Sequence, residues 1–561
     1  MQRKEGGTTL TEQATEAVDF NLIDQPWIRC LDEDGHVREV GIAEALKHAH
    51  EIRGLAGELA TQDFAMLRVL LSVVYRVLEV NPDNPMRSWY AAWKKGHFDA
   101  GAVDEYLGIW RDRFDLFDQE KPFLQTPNLE TTSGQWKGLE VLVPDCPDEG
   151  AMFIRRDPTL PIPPGEAARW LVHCMAFDYS GIKSGAVGDA RVKNGKGYPI
   201  GIGWCGWLGG VYFEGETLFQ TLMLNTVLRE WPVSGTPAWE QEVPGPAQRS
   251  AAEIGDTGPL TLFTWQQRRI RLHQDNGMVT KVNVCNGDPI DYISQMGTET
   301  MSGWRYSAPQ STKAKADVYM PRWHTPDRAM WRGLETLVPL QTASTVKGRG
   351  GEKVSAARPA ENVSWVSSLI TRRYLPADSR LRLRGVGMEY GAQQSSFGRV
   401  LDDRLVFLAP LLEKGDQVQV AALVAVERAD AAVQALGNFA NNIQYASSGD
   451  RGEAGEEART RAFAEIDPEF RAWLANLTPE SVDRALEDWG RMLYGLVGKH
   501  AGMVIDAAPA SAWRGRKQDS RVINVGQAEA WFRAELARVL PRSKSVGDGD
   551  GETDKETKEE Q

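Results

Sequence analysis

Toward the C-terminal end, apolar residues recur at helical spacing in four long stretches. The first runs from Asp416 to Tyr445. The second, Glu456 to Leu477, is predicted to be interrupted at Asp467-Pro468, because proline removes a backbone donor and clashes with the preceding turn. The third spans Thr478 to Ile505, with Thr478 as cap, Pro479 in the first turn and Glu480 favourable to the helix dipole. Its stripe is Leu486, Trp489, Leu493, Leu496, Val497 and Val504. The fourth, Val525 to Leu540, carries Trp531, Phe532, Leu536 and Leu540. Four amphipathic helices predict a four-helix bundle over residues 401–542, with 449–455 and 509–524 as its looser links.

The N-terminal pattern differs. Trp27 to Leu31, the Asp32-Glu33-Asp34-Gly35 run and His36 to Val40 predict a β-hairpin. A helix is expected from a Thr61 cap to about Val80, burying Phe64, Leu67, Leu70, Leu71, Val74 and Leu78. From about residue 81 to 385, short apolar runs alternate with Gly and Pro clusters and tryptophan is frequent. Regular strand–helix alternation is missing. The expected fold class is therefore α+β, with a large irregular mixed N-terminal domain at 18–400 ahead of the bundle. Residues 1–17 read as a disordered arm and 543–561 as an acidic disordered tail.

Charge changes the picture in one place. The chain of 561 residues has a net charge of −13, which argues against a free-standing nucleic-acid binder. Yet between Lys347 and Arg384 nine basic residues face three acids, a local excess of +6. Such a segment suits a subunit with local nucleic-acid contact and other faces turned to proteins. The five cysteines, Cys30, Cys146, Cys174, Cys205 and Cys285, are scattered and form no Cys-x-x-Cys pair, so reduced buried thiols and no metal are expected. The apolar stretch from Met66 to Leu78 holds two arginines and falls short of the ~20 residues a bilayer requires. A cytoplasmic protein without membrane contact is expected.

Enzyme motifs fail on inspection. His50 lacks a second zinc ligand four residues on, where Gly54 stands, and Gly495 to His500 has the wrong glycine spacing for a phosphate loop. No Gly-x-Ser-x-Gly elbow occurs. A DNA-processing nuclease of a defence system remains the alternative reading, since catalytic carboxylates need no motif. A purely structural scaffold is the third.

Several runs carry a family resemblance. Phe20 to Ile28, His50 to Glu58, Lys121 to Thr126, Tyr319 to Arg322 with Pro326 to Leu334, and Tyr390 to Phe397 occur in order over most of the chain. They resemble the CasA family, the large subunit of the type I-E CRISPR surveillance complex Cascade. The resemblance implies a mixed N-terminal domain followed by a four-helix bundle, without catalytic activity or cofactor. It also implies four partners: the guide RNA, duplex target DNA, other Cascade subunits and a helicase-nuclease that docks on it. The implied work is to recognise the protospacer-adjacent motif through the minor groove and to help open the duplex.

The implied site residues follow from the matching stretches. Gln394 is the expected wedge tip, with Gln393 and Ser395 flanking it. Without the family, the same stretch reads as a polar interdomain loop. Ser180, Gly181 and Lys183 fall in the stretch matching the family's glycine-rich minor-groove loop, which has fewer glycines here and reads otherwise as a surface turn. Arg380, Arg382 and Arg384 alternate, so on a strand they share a face suited to phosphates or simply to solvent. Phe153, Arg155 and Arg156 resemble the loop that packs near the guide RNA handle. The family's minor-groove lysine has no counterpart in Asp291 to Gly297, leaving Gln295 or Lys281 as substitutes.

Overall fold

The computed structural model describes residues 19–144, 157, 159–341, 344–518 and 521–540. The chain divides into two compact units between Lys414 and Gly415. The division falls after, not before, the long strand ending at Leu408; an expected boundary at 400/401 cuts that strand. The expected arm, the acidic tail and Phe153, Arg155 and Arg156 lie outside the described residues.

In the first unit, β1 (Ile28–Leu31) and β2 (Val37–Val40) pair in the expected hairpin, Leu31 opposite Val37. Asp32 closes it by accepting the His36 amide at 2.8 Å, and Gly35 supplies the left-handed φ of 86°. Helix α1 (Ala60–Val77) is buried all round from Thr61 to Tyr75 instead of presenting one apolar face. Its polar members survive burial through named partners. Arg68 forks onto Glu299 at 2.8 and 2.9 Å, and Asp63 accepts the Gly57 amide at 2.7 Å. Thr61 does not cap the helix. Leu59 takes the cap position, and Thr61 Oγ1 meets His173 Nε2 at 3.0 Å.

Helix α2 (Pro164–Phe177) packs on α1 and leads into a four-stranded sheet ordered β4-β3-β7-β6. Its strands are β3 (Lys183–Ser184), β4 (Lys196–Gly197), β6 (Arg268–Asp275) and β7 (Met278–Asn286). A second sheet, ordered β9-β8-β5, joins β5 (Gly210–Glu214) to the hairpin of β8 (Arg380–Tyr390) and β9 (Phe397–Leu408). The many tryptophans work as core: Trp204, Trp239, Trp304 and Trp331 are all buried. The four described cysteines are free and buried.

The second unit is built on α3 (Gln417–Ser448), with α4 (Ala454–Ala475), α5 (Val482–Asp506) and α7 (Val525–Val539) packed on it. A row of small residues on α3, including Ala421, Ala425, Ala429 and Ala432, is buried and lets the neighbours approach closely. Helix α4 continues through Pro468, against expectation. Proline there costs about 3 kcal/mol, but Ile466, Phe470 and Leu474 on either side are buried in the bundle and hold the helix in register. Thr478 caps as expected, though its first turn, Pro479–Ser481, is a 3₁₀ turn ahead of α5. The link expected to be loose holds a short helix α6 (Ala510–Arg514) and a hairpin of β10 (Arg516–Gln518) and β11 (Arg521–Ile523). Among the described residues, no helix is long and apolar enough to cross a membrane.

Candidate nucleic-acid interface

The β8–β9 hairpin ends in a tight tip. Tyr390 lies opposite Phe397, and the Gly391 amide donates to the Ser396 carbonyl at 3.0 Å. Gln393 and Gln394 both adopt left-handed backbone, φ 55° and 59°. For side chains with a Cβ that conformation costs about 1–2 kcal/mol per residue, and such strain gathers at functional tips. Ser395 turns its hydroxyl inward to the Ala392 carbonyl at 2.8 Å. The amide side chains of Gln393 and Gln394 hold no hydrogen-bond partner among the described residues. Gln393 is exposed and Gln394 half-buried.

The tip is tied to the loop after α2. The Ser180 amide donates to the Gln394 carbonyl at 2.7 Å. The Tyr390 hydroxyl donates to the Phe177 carbonyl at 2.6 Å, and the Phe397 ring stands edge-on to Tyr179 at 5.3 Å. These contacts join a hairpin tip to a loop 213 positions earlier. Gly206 is needed beneath them, because a Cβ there would lie 2.3 Å from the Tyr390 hydroxyl. At Gly181 a Cβ would strike the Tyr179 ring at 2.4 Å, so glycine there lets that ring keep its place. Ile182 beside it is 56% exposed.

Lys183 does not face solvent. It lies 6% exposed, its Nζ 2.8 Å from Asp178 and 3.7 Å from the Tyr179 ring centroid. Arg268 reaches the same carboxylate and also donates to the carbonyls of Tyr179 and Gly201. The cluster holds two cations and one anion. Burial opposes ionisation of Asp178, but Lys183 and Arg268 together keep its carboxyl below the usual range. Burial and the like charge of Arg268 depress Lys183, which a single carboxylate does not offset. Lys183 is thus a loop anchor and is withdrawn as a DNA contact.

Arg380, Arg382 and Arg384 share one face of β8, as their alternation requires, but their surroundings differ. Arg384 is 5% exposed and bonds to Asp402, Asp63, Glu214 and the Tyr212 hydroxyl. Burial disfavours its charge, yet these acceptors hold the guanidinium above its ordinary range. It cannot reach a phosphate, and that expectation is corrected. Arg382 touches Glu216 at 3.5 Å on the rim of an open cleft of about 830 Å³ that Arg53 and Arg404 also line. Arg380 is exposed. The basic segment of the sequence is also divided by the fold. Lys347 and Lys353 sit on one small hairpin, Arg358 stacks on Tyr319, and Arg373 pairs with Glu413. Gln295 donates to the Asp291 carbonyl, while Lys281 is exposed opposite His273 on the β6–β7 ladder.

The family model for CRISPR-associated protein Cse1 matches residues 21–499. The chain belongs to the Cse1 family. Cse1 from Thermobifida fusca superposes with a TM-score of 0.85 at 35% identity, over 93% of this chain and 98% of that one. Cse1 from Acidimicrobium ferrooxidans follows at 0.77 and 28%, over 93% and 98%. The CasA/Cse1 protein of Thermus thermophilus is 29% identical over 356 residues, covering 61% of this chain and 63% of that relative. The chain therefore spans under two thirds of that curated relative. A chain of a CRISPR RNA-guided surveillance complex shares the fold at 19% identity and a TM-score of 0.65, over 87% of this chain and 99% of that one. The Cse1 fold confirms the α+β reading and the family read from sequence motifs. Within it, sequence reasoning missed Asp178 and Arg268, which anchor the loop after α2, and the tie that the Tyr390 hydroxyl makes to that loop. Arg268 lies 90 positions from Asp178, a separation no local motif spans.

Proposed function

We propose that this Cse1 chain is a non-catalytic subunit of an RNA-guided CRISPR surveillance complex that reads the protospacer-adjacent motif of duplex DNA and opens the duplex beside it. The observation that carries the reading is the Ser180–Gln394 backbone bond at 2.7 Å. It couples a small-residue loop to a strained tip bearing two amides without protein partners among the described residues. A minor groove and the base step beside it would engage the two parts together: backbone and Ser180 in the groove, Gln393 and Gln394 at the step being unstacked. Ser395, with its hydroxyl held in the turn, shapes the tip. Arg380 and Arg382 supply phosphate contacts. Phe153, Arg155 and Arg156 serve the guide RNA handle, and other faces serve neighbouring subunits and a helicase-nuclease. Family membership and the fold shared with a chain of a surveillance complex support the same assignment.

Gln394→Ala tests it in the reconstituted complex with guide RNA. The substitution removes the amide but keeps the backbone carbonyl, so the tie to Ser180 persists. Unstacking a step costs a few kcal/mol. The variant should therefore form the guide–target hybrid more slowly on duplex DNA and regain speed on a target already unpaired beside the motif. Equal loss on both targets would mean that Gln394 reads a base or holds the fold. Metal-dependent cleavage by the purified chain would replace the proposal with the nuclease reading.

A further inference from the structure

In the first unit, the helix Pro85–Lys95 is set by its start and by one indole. Asn84 caps it by accepting the Arg87 amide at 3.2 Å, and Pro85 takes the first position. Trp89 is buried and its Nε1 donates to the Met223 carbonyl at 2.8 Å, which fixes the side that faces the core. Arg87 and Lys94 lie on the opposite side, about 20° of rotation apart, with Tyr90 one turn from each. Both cations are exposed and hold no ion pair among the described residues. The Lys94 Nζ leans over the Tyr90 ring at 5.7 Å.

A second helix, Glu361–Thr371, delivers Tyr374 to the same surface. It ends in a Schellman turn: the Tyr374 amide donates to the Leu369 carbonyl at 2.9 Å and the Arg373 amide to the Ile370 carbonyl at 2.8 Å. Arg373 holds the left-handed position, φ 60°, where glycine is usual. The turn lays Tyr374 on Tyr90, ring centroids 4.6 Å apart and planes within 12°. Neither hydroxyl holds a hydrogen bond among the described residues. Arg372, two positions before Tyr374, is exposed and also without an ion pair among the described residues. Of the acids nearby, Glu413 is taken up by Arg373 at 2.8 Å, and Asp83 and Asp378 pair with none of these cations. Glu413 follows Leu408, the residue of β9 opposite Arg380. The patch therefore sits at the end of the β8–β9 hairpin remote from its tip.

We propose that Arg87, Tyr90, Lys94, Arg372 and Tyr374 grip the phosphate backbone of duplex DNA, without sequence preference, about one helical turn from the step opened at the hairpin tip. Arg87 and Lys94 stand about 10 Å apart along their helix axis, a span of about three phosphates on one strand. The two hydroxyls between them donate to the intervening phosphate. Each ring has one face covered by the other, so the pair presents its hydroxyl edges to a backbone in place of a free face for an unpaired base. The eleven residues of β8 span about 35 Å, close to the ~34 Å of one duplex turn. The choice of duplex DNA and its placement rest on the reading above. The grip itself needs neither the motif nor Gln394.

The test compares binding by the reconstituted complex, with guide RNA, to targets whose duplex flank beyond the motif runs about two helical turns or less than about half a turn. On the long flank, Arg87→Gln with Lys94→Gln should reduce the salt-dependence slope by about 2, at roughly 0.9 per duplex phosphate contact. On the short flank the variant should bind like wild type. Tyr90→Phe with Tyr374→Phe keeps the stacked rings and removes the hydroxyls, and should weaken long-flank binding about threefold or more. Circular dichroism checks that each variant is folded. The full chain alone, on a duplex without the motif at low salt, should lose slope in the Arg87→Gln, Lys94→Gln variant and keep it in Gln394→Ala, so a failed motif reading and a failed backbone grip are distinguishable. The proposal is overturned by an unchanged slope on the long flank, by equal losses on both flanks, or by tighter binding of the full chain to oligo(dT) than to duplex.

Discussion

The two-cation, one-anion cluster beneath the interface makes a signed prediction. Asp178 and Arg268 side chains are each 1% exposed and Lys183 is 5% exposed, so solvent screens the cluster little. Asp178→Asn leaves Lys183 and Arg268 buried side by side without a counter-charge. Removing one member of a buried pair typically costs about 3–5 kcal/mol. Lys183→Met removes the excess cation instead and leaves Asp178 paired with Arg268. Its losses are the bond to Asp178 and the contact over Tyr179, the latter about 2 kcal/mol, and they are offset in part because no charge is left buried without a counter-charge. The anion should therefore matter more than the cation, although both are buried to a similar degree. Hydrogen exchange of the peptide carrying the Ser180 amide reads this directly, because that amide is bonded to Gln394. Asp178→Asn should raise its opening equilibrium by about a hundredfold or more; Lys183→Met should change it far less. Asp178 titrates below its unfolded value, so its stabilisation is complete above about pH 4. It is lost as pH falls through the folded value, and that acid sensitivity should vanish in Asp178→Asn. A Lys183→Met effect as large as that of Asp178→Asn would refute the charge-balance argument.

Arg384→Gln should destabilise the first unit by about 3–5 kcal/mol in urea unfolding, because Asp63, Asp402 and Glu214 lose their shared partner. Arg380→Gln with Arg382→Gln should change stability by about 0.5 kcal/mol or less, while flattening the salt dependence of duplex binding by the complex by about one unit of slope per lost phosphate. His173 is buried among Trp170, Phe177 and Thr61, and burial lowers its pKa to about 4. Between about pH 6.5 and about 4 the unfolded chain binds the proton and the folded one does not. Stability should fall as pH drops across that window, by about 3 kcal/mol, and His173→Gln should flatten the pH dependence measured by urea melts.

Local pattern was enough for the elements whose partners are near in sequence. The Asp32 to Gly35 turn, the stripe of Trp489, Leu493 and Val497 and the Thr478 cap all act within a few residues, and their chemistry is written in their spacing. The family motifs likewise led to the hairpin tip, because Tyr390 to Phe397 is one continuous run. What spacing could not reveal is which polar groups lie inside. Arg380, Arg382 and Arg384 read alike along the chain. Yet Arg384 meets Asp63 from 321 positions away and is captured, while Arg380 meets no acid among the described residues and stays in solvent. Lys183 reads as a loop cation until Arg268 and Asp178 arrive from separate elements and bury it. Helix α1 carries an amphipathic pattern, but Glu299 and Arg384 satisfy its charged residues and allow burial on every side. The sequence by itself determined the long C-terminal helices, the first hairpin, the fold class and the family, because these rest on local periodicity and contiguous motifs; that Pro468 would stay inside its helix was decided by the packing on either side of it. Tertiary structure alone decided which charges are available for binding, because a charge is neutralised by whatever the fold packs against it, wherever along the chain that partner lies.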